Sequence, residues 1–151
     1  MIRVADDVRV EIAADTDIVE ARGEGRALAT RLGFSRTDAT LIATAISEIG
    51  RNILHHAGRG EVAIAQTTGD HSLGIEVVAR DEGPGIPDVE RALSEGYATG
   101  NGLGLGLPGA QRLMDEFSIE TQPGRGTTVT MRKWRARDEL ERLRERSDGH
   151  A

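Results

Sequence analysis

Glycine placement constrains this chain more than any other feature. The chain has 19 glycines in 151 residues, well above an ordinary usage of about 7%. Many fall between residues 83 and 126, in runs such as Asp81-Glu-Gly-Pro-Gly85 and Gly100-Asn-Gly-Leu-Gly-Leu-Gly106. Such spacing weakens both helix and strand, so residues 83–101 are expected to form an irregular loop with room for one short helix. The clustering points to a glycine-built site rather than to general flexibility. Alternate glycines before a helix leave backbone N–H groups uncovered, and such groups can hold phosphates. An aspartate entering a glycine turn can accept a hydrogen bond from an exocyclic amine, which adenine carries at that edge and guanine lacks. Gly83 and Gly85 would let the backbone pass beneath a base without a Cβ.

The elements around these runs follow from periodicity. Residues 8–13 read as a first strand. Residues 15–32 read as a helix capped by Asp15 or Thr16 and ended by Gly33. Ser35 caps the next helix, with Asp38 in the capping-box position. Ile42, Ala45, Ile46, Ile49 and Ile53 form an apolar stripe along it at spacings near 3.6. Residues 61–68 and 73–80 form a hairpin across Gly69-Asp70-His71. Residues 103–117 read as a helix, and residues 118–122 and 127–134 as a hairpin across Pro123-Gly124-Arg125-Gly126. Residues 135–151 are rich in Arg, Asp and Glu, and read as a charged extension, helical or disordered, with a partner-contacting helix as the alternative.

The striped helix carries the polar sequence Glu48-Ile-Gly-Arg-Asn52. At 100° per residue, Glu48 and Asn52 fall at the border of the stripe, where a polar pair lines a cleft. Asn52 is neutral and suits a supporting Mg²⁺ ligand, with the negative oxygens coming from a triphosphate. Glu48, one turn earlier, suits a base that accepts a proton from a nucleophile attacking a γ-phosphate. Residues 92–111 hold no Lys or Arg. Phosphates bound there would need backbone amides, a helix N-terminus and Mg²⁺ to balance their charge.

Composition excludes other classes. A net charge of −6 argues against nucleic acid or an anionic membrane as main partner. The N-terminus carries no signal-peptide core and the chain no long apolar run, so a cytoplasmic protein is expected. With no cysteine, neither disulfides nor thiolate metal sites can form. His55 and His56 are sequence neighbours, point different ways on a helix, and do not make a zinc site.

The three motifs, in this order and spacing, resemble the GHKL ATPase/kinase superfamily. Glu48-Ile-Gly-Arg-Asn52 looks like its N box, Asp81-Glu-Gly-Pro-Gly85 its G1 box, Gly102-Leu-Gly-Leu-Gly-Leu107 its G2 box, and Gly126-Thr127 its terminal G-T element. The resemblance implies a two-layer α/β sandwich, the Bergerat ATP-binding fold, with a mixed, largely antiparallel sheet and helices on one face. It implies ATP and Mg²⁺ as cofactors. Asn52 would bind the metal and Asp81 the adenine. Gly102, Gly104 and Gly106 would form the lid, and Gly83, Gly85, Ile86, Leu103, Leu105, Leu107 and Thr127 would complete the nucleotide contacts.

A narrower resemblance is to RsbT-type serine/threonine kinases of bacterial stress-response partner switching. It rests on Asp17-Ile-Val-Glu-Ala-Arg22, Thr44-Ala-Ile-Ser-Glu48, Arg51-Asn52, Asp81-Glu-Gly-Pro-Gly-Ile-Pro-Asp88, Gly106-Leu-Pro-Gly109 and Arg112-Leu-Met-Asp-Glu-Phe117. It implies phosphorylation of a STAS-domain protein of the stressosome by a domain covering residues 1–134, followed by binding and activation of a PP2C-type phosphatase. Two alternatives stand beside it. One is an anti-sigma kinase of the RsbW or SpoIIAB kind, within a sigma-factor system. The other is a non-catalytic module whose surface ATP merely shapes; such a module needs no base, so Glu48 favours catalysis. No helical hairpin precedes the ATP motifs to carry a histidine-kinase phosphoacceptor.

Overall fold

The computed structural model describes residues 7–70, 72–94 and 106–135. Its elements are β1 (Val8–Ile12), α1 (Asp15–Arg31), α2 (Arg36–His56), β2 (Gly60–Gly69), β3 (Ser72–Asp81), α3 (Val89–Ala92), α4 (Gly106–Leu113), β4 (Glu116–Gln122) and β5 (Gly126–Trp134). The strands form one five-stranded sheet in the order β1-β2-β3-β5-β4.

Each described strand pairing is antiparallel, where a mixed sheet was expected. The connections supply the reason. Two helices lie between β1 and β2, so the chain returns in the opposite sense, and a hairpin joins β2 to β3. The crossover from β3 through α4 does bring β4 back parallel to β3, but β5 inserts between them and pairs antiparallel with both.

Inward residues alternate along the strands. Val10, Ile12, Val62, Ile64, Ile75, Val77, Val129 and Met131 are buried in one cluster with the helices. The opposite face is polar and carries ion pairs, among them Arg132 with Glu76 at 2.7 Å and with Glu116 at 3.0 Å. Helices on one face of a sheet is the expected two-layer sandwich.

Helix α2 is the spine of the helical layer. Ile42, Ile46, Ile49 and Ile53 are at most 1% exposed, and burying each such side chain is worth about 1.5–3 kcal/mol. Ser35 caps it as expected, its hydroxyl accepting the Asp38 N–H at 3.0 Å. The cap of α1 differs from expectation. The N-cap is Ala14, which has no acceptor, and Asp17 reaches back to accept the N–H groups of Ala13 and Ala14 at 2.9 and 3.0 Å. Gly33, in the left-handed region at φ +90°, ends that helix as expected.

The helix expected over 103–117 ends at Leu113. Residues 116 and 117 instead join β4, where Phe117 pairs with Met131 in the ladder. Sheet pairing with β5 outweighs the weak helical pattern there. Residues 103–105 of that expected helix lie outside the described residues. Arg135 is held against the body of the domain: its N–H donates to the Leu73 carbonyl at 2.8 Å and its guanidinium to the Leu32 carbonyl at 3.1 Å.

Candidate functional site

The site is built where α2, the start of α4 and the end of β3 meet the β4–β5 hairpin. Glu48 is 4% exposed, because the isoleucine stripe carries that face of α2 inward. Its Oε1 accepts the Gly106 N–H at 2.8 Å, and its Oε2 accepts from the Arg51 guanidinium at 2.5 Å. Gly106 sits at φ +65°, in the left-handed region open to glycine, and presents its N–H at the first residue of α4. The far end of α4 is fastened by Lys133, whose ammonium donates to the Leu113 carbonyl at 2.9 Å. Leu107, Pro108, Gly109 and Ala110 are buried. Glu48 on α2 and Gly106 at the start of α4 are therefore in direct contact. Gly102, Leu103, Gly104 and Leu105 lie outside the described residues.

Asn52, one turn after Glu48, is half-buried, and its side chain makes no hydrogen bond within the described residues. No group of three or more His, Asp or Glu side chains gathers as a metal cluster among the described residues. This donor set, one neutral amide beside one carboxylate, fits a Mg²⁺ ion that arrives with phosphate oxygens rather than one held by protein alone.

At the other end of the site, Asp81 closes β3. Its Oδ1 accepts the Gly83 N–H at 2.9 Å, which fixes the carboxylate, and its Oδ2 makes no hydrogen bond within the described residues. Thr127 is 5% exposed and lies opposite Asp81 in the β3–β5 ladder. Gly126 packs so tightly on the Asp81 carbonyl that a Cβ there would overlap it. Gly85, at φ +84°, turns the chain onto Thr121 and Gln122. Ile86 is buried behind this turn. The glycine turn, the aspartate and the G-T element thus form one surface.

Sequence reasoning missed three neighbours. Thr121 accepts the Ile86 N–H at 2.8 Å and lies 3.1 Å from the Thr127 hydroxyl; no local pattern marks a contact across 35 residues. Arg51 pairs with Glu48 at i,i+3, which the helical spacing does signal. His56 continues the Glu48–Asn52 stripe by a further turn. Burial pushes its pKa below the usual 6.5, the neighbouring His55 pushes the same way, and Asp81 opposes them.

Comparisons with known proteins identify the family of the chain. Residues 12–133 match the family described as the histidine kinase-like ATPase domain. The chain is 46% identical over 125 residues to the serine/threonine-protein kinase RsbT of Bacillus subtilis, covering 83% of this chain and 94% of that one. It is 35% identical over 124 residues to the anti-sigma F factor of Caldanaerobacter subterraneus subsp. tengcongensis, covering 78% and 85%. The fold matches the RsbU and RsbW domains of Rv1364c from Mycobacterium tuberculosis with a TM-score of 0.60 at 22% identity, over 87% of this chain and 33% of that one. It also matches the SiaB–SiaC complex of Pseudomonas aeruginosa with a TM-score of 0.54 at 17% identity, over 87% and 91%. The chain belongs to the histidine kinase-like ATPase (GHKL) family, as an enzyme related to the RsbT-type serine/threonine-protein kinases.

Proposed function

We propose that this protein is an ATP–Mg²⁺-dependent kinase that phosphorylates serine or threonine on a STAS-domain protein. We further propose that it acts as a partner switch, binding and activating a PP2C-type phosphatase once released. The observation that carries the reading is the placement of Glu48: buried, pinned by donors from two sides, and one turn from Asn52. When bound, ATP supplies the γ-phosphoryl group, and its Mg²⁺ neutralises phosphate charge. Asn52 would hold that metal, and Asp81 with Gly83, Gly85, Ile86 and Thr127 would hold the adenine. Gly102, Gly104, Gly106 and the leucines between and after them would hold the phosphates.

Glu48 takes the proton of the attacking hydroxyl. Each carboxylate oxygen has two acceptor sites, and one on each is filled by Gly106 or Arg51. The carboxylate is thereby oriented and still has sites for the proton. As the serine oxygen bonds to the γ-phosphorus, the bond to the β–γ bridging oxygen breaks and ADP leaves with that electron pair.

The greater identity to RsbT than to the anti-sigma F factors, 46% against 35%, favours a STAS substrate of the RsbT kind. The anti-sigma relatives support a sigma-factor system as the second reading. No helix among the described residues is long and apolar enough to cross a membrane, in keeping with a proposed cytoplasmic location. The test is transfer of label from γ-labelled ATP to a purified STAS protein. Label on a serine or threonine of that protein is expected, and its absence with an active, ATP-binding preparation would overturn the substrate class.

A further inference from the structure

We propose that Thr121, on β4, is the positioning residue that sets the base-binding end of the site, a role resting on the reading of Asp81 as the adenine acceptor. The turn from Asp81 to Ile86 contains two glycines, and within it only Pro84 and the Gly83 N–H on the Asp81 carboxylate restrain the chain. It is also fixed from outside, by the β4–β5 hairpin. The Ile86 N–H donates to the Thr121 hydroxyl at 2.8 Å, and the Gly124 N–H donates to the Pro84 carbonyl at 2.9 Å. Gly126 packs against the Asp81 carbonyl. Of these attachments, only that of Thr121 is made by a side chain.

Thr121 also reaches the other side of Asp81. Its Oγ1 lies 3.1 Å from Thr127 Oγ1 and 3.3 Å from the Gly126 carbonyl. A hydroxyl has one proton and two acceptor sites. With one site taken by Ile86, the Thr121 proton goes to Gly126 or to Thr127. If it goes to Thr127, the Thr127 proton is left for another acceptor; if it goes to Gly126, Thr127 can donate back to Thr121. One side chain thus couples the glycine turn before the base to the threonine opposite Asp81 in the ladder.

The test compares Thr121→Val, which keeps the shape and removes the hydroxyl, with Thr121→Ser, which keeps the hydroxyl. Calorimetry is run on each folded protein with ATP–Mg²⁺ and GTP–Mg²⁺. Thr121→Val is expected to lose a few- to tenfold in ATP affinity, the size of one net hydrogen bond, with GTP affinity little changed. The ATP:GTP ratio falls accordingly, and Thr121→Ser restores it. In transfer assays the loss falls on KM for ATP more than on kcat. A purely structural threonine would lower the melting temperature and leave the ratio intact, which overturns the proposal. A wild-type protein that prefers ATP beside a valine variant with the same ratio overturns the role of Thr121 alone. A wild-type protein with no preference overturns the Asp81 reading as well. If the valine protein does not fold, Thr121→Ala is read by the same criteria.

Discussion

Replacing Glu48 by Gln separates chemistry from architecture in this site. The glutamine has nearly the same volume, which matters at a position only 4% exposed. Its carbonyl can still accept the Gly106 N–H, so the α2–α4 contact is retained. Its amide group faces the Arg51 guanidinium as donor against donor, and that pairing is lost. Arg51 is 53% exposed and can turn to water, so the stability cost is held to about 1 kcal/mol. For a domain of this size that is a fall in melting temperature of about 4 °C. The chemical effect is far larger. Removing a positioned general base costs roughly 10²–10⁴-fold in rate, and ATP affinity should change little because binding depends on Asp81, the glycines and the metal. The assay is single-turnover transfer from labelled ATP to a STAS protein, with affinity measured in parallel. Transfer by Glu48→Gln at the wild-type rate would refute the base role and favour a module that only binds. A loss of ATP binding equal to the loss of rate would show instead that Glu48 holds the nucleotide site together.

Three further outcomes are expected. Asp81→Asn turns an acceptor towards a donor and should weaken ATP binding roughly ten- to hundredfold; calorimetry showing unchanged affinity would remove Asp81 from the base site. A chain ending at Arg135 should keep its fold and its nucleotide affinity, since Arg135 itself supplies the contacts to Leu32 and Leu73; unfolding on truncation would show that the extension packs on the core. The depressed pKa of His56 means the unfolded chain binds that proton first, so stability is full above about pH 6.5 and declines as pH falls through that value towards the folded-state pKa. Denaturant titrations should show this slope shrinking in His56→Gln, and an unchanged slope would assign the acid loss to other groups.

Much of the fold was legible because it is local. The isoleucine stripe fixed which face of α2 is buried, and Glu48 at its border is buried with it. Glycines 33, 83 and 85 marked a helix end and a turn because their constraint acts within a few residues. The misreadings share a different cause. The helix expected to continue to Phe117 was overridden by pairing with a strand not yet made at that point in the sequence. The α1 cap went to a residue with no capping side chain because Asp17, inside the helix, does that work. In the site, the hydrogen bond from Gly106 to Glu48 spans 58 residues, and that from Ile86 to Thr121 spans 35. No periodicity encodes such pairs; they arise only once α4 and the β4–β5 hairpin close over α2 and the Asp81 turn.

Glu48, Asn52 and Asp81 are proposed to belong to one Mg²⁺-nucleotide site. A crystal structure of the protein with a non-hydrolysable ATP analogue and Mg²⁺ tests it most directly. The adenine amine is expected on the Asp81 carboxylate, Mg²⁺ on the Asn52 amide oxygen, and the γ-phosphate on the side of the site that holds Glu48. A nucleotide bound elsewhere, or one whose base lies away from Asp81 while its metal avoids Asn52, would contradict it.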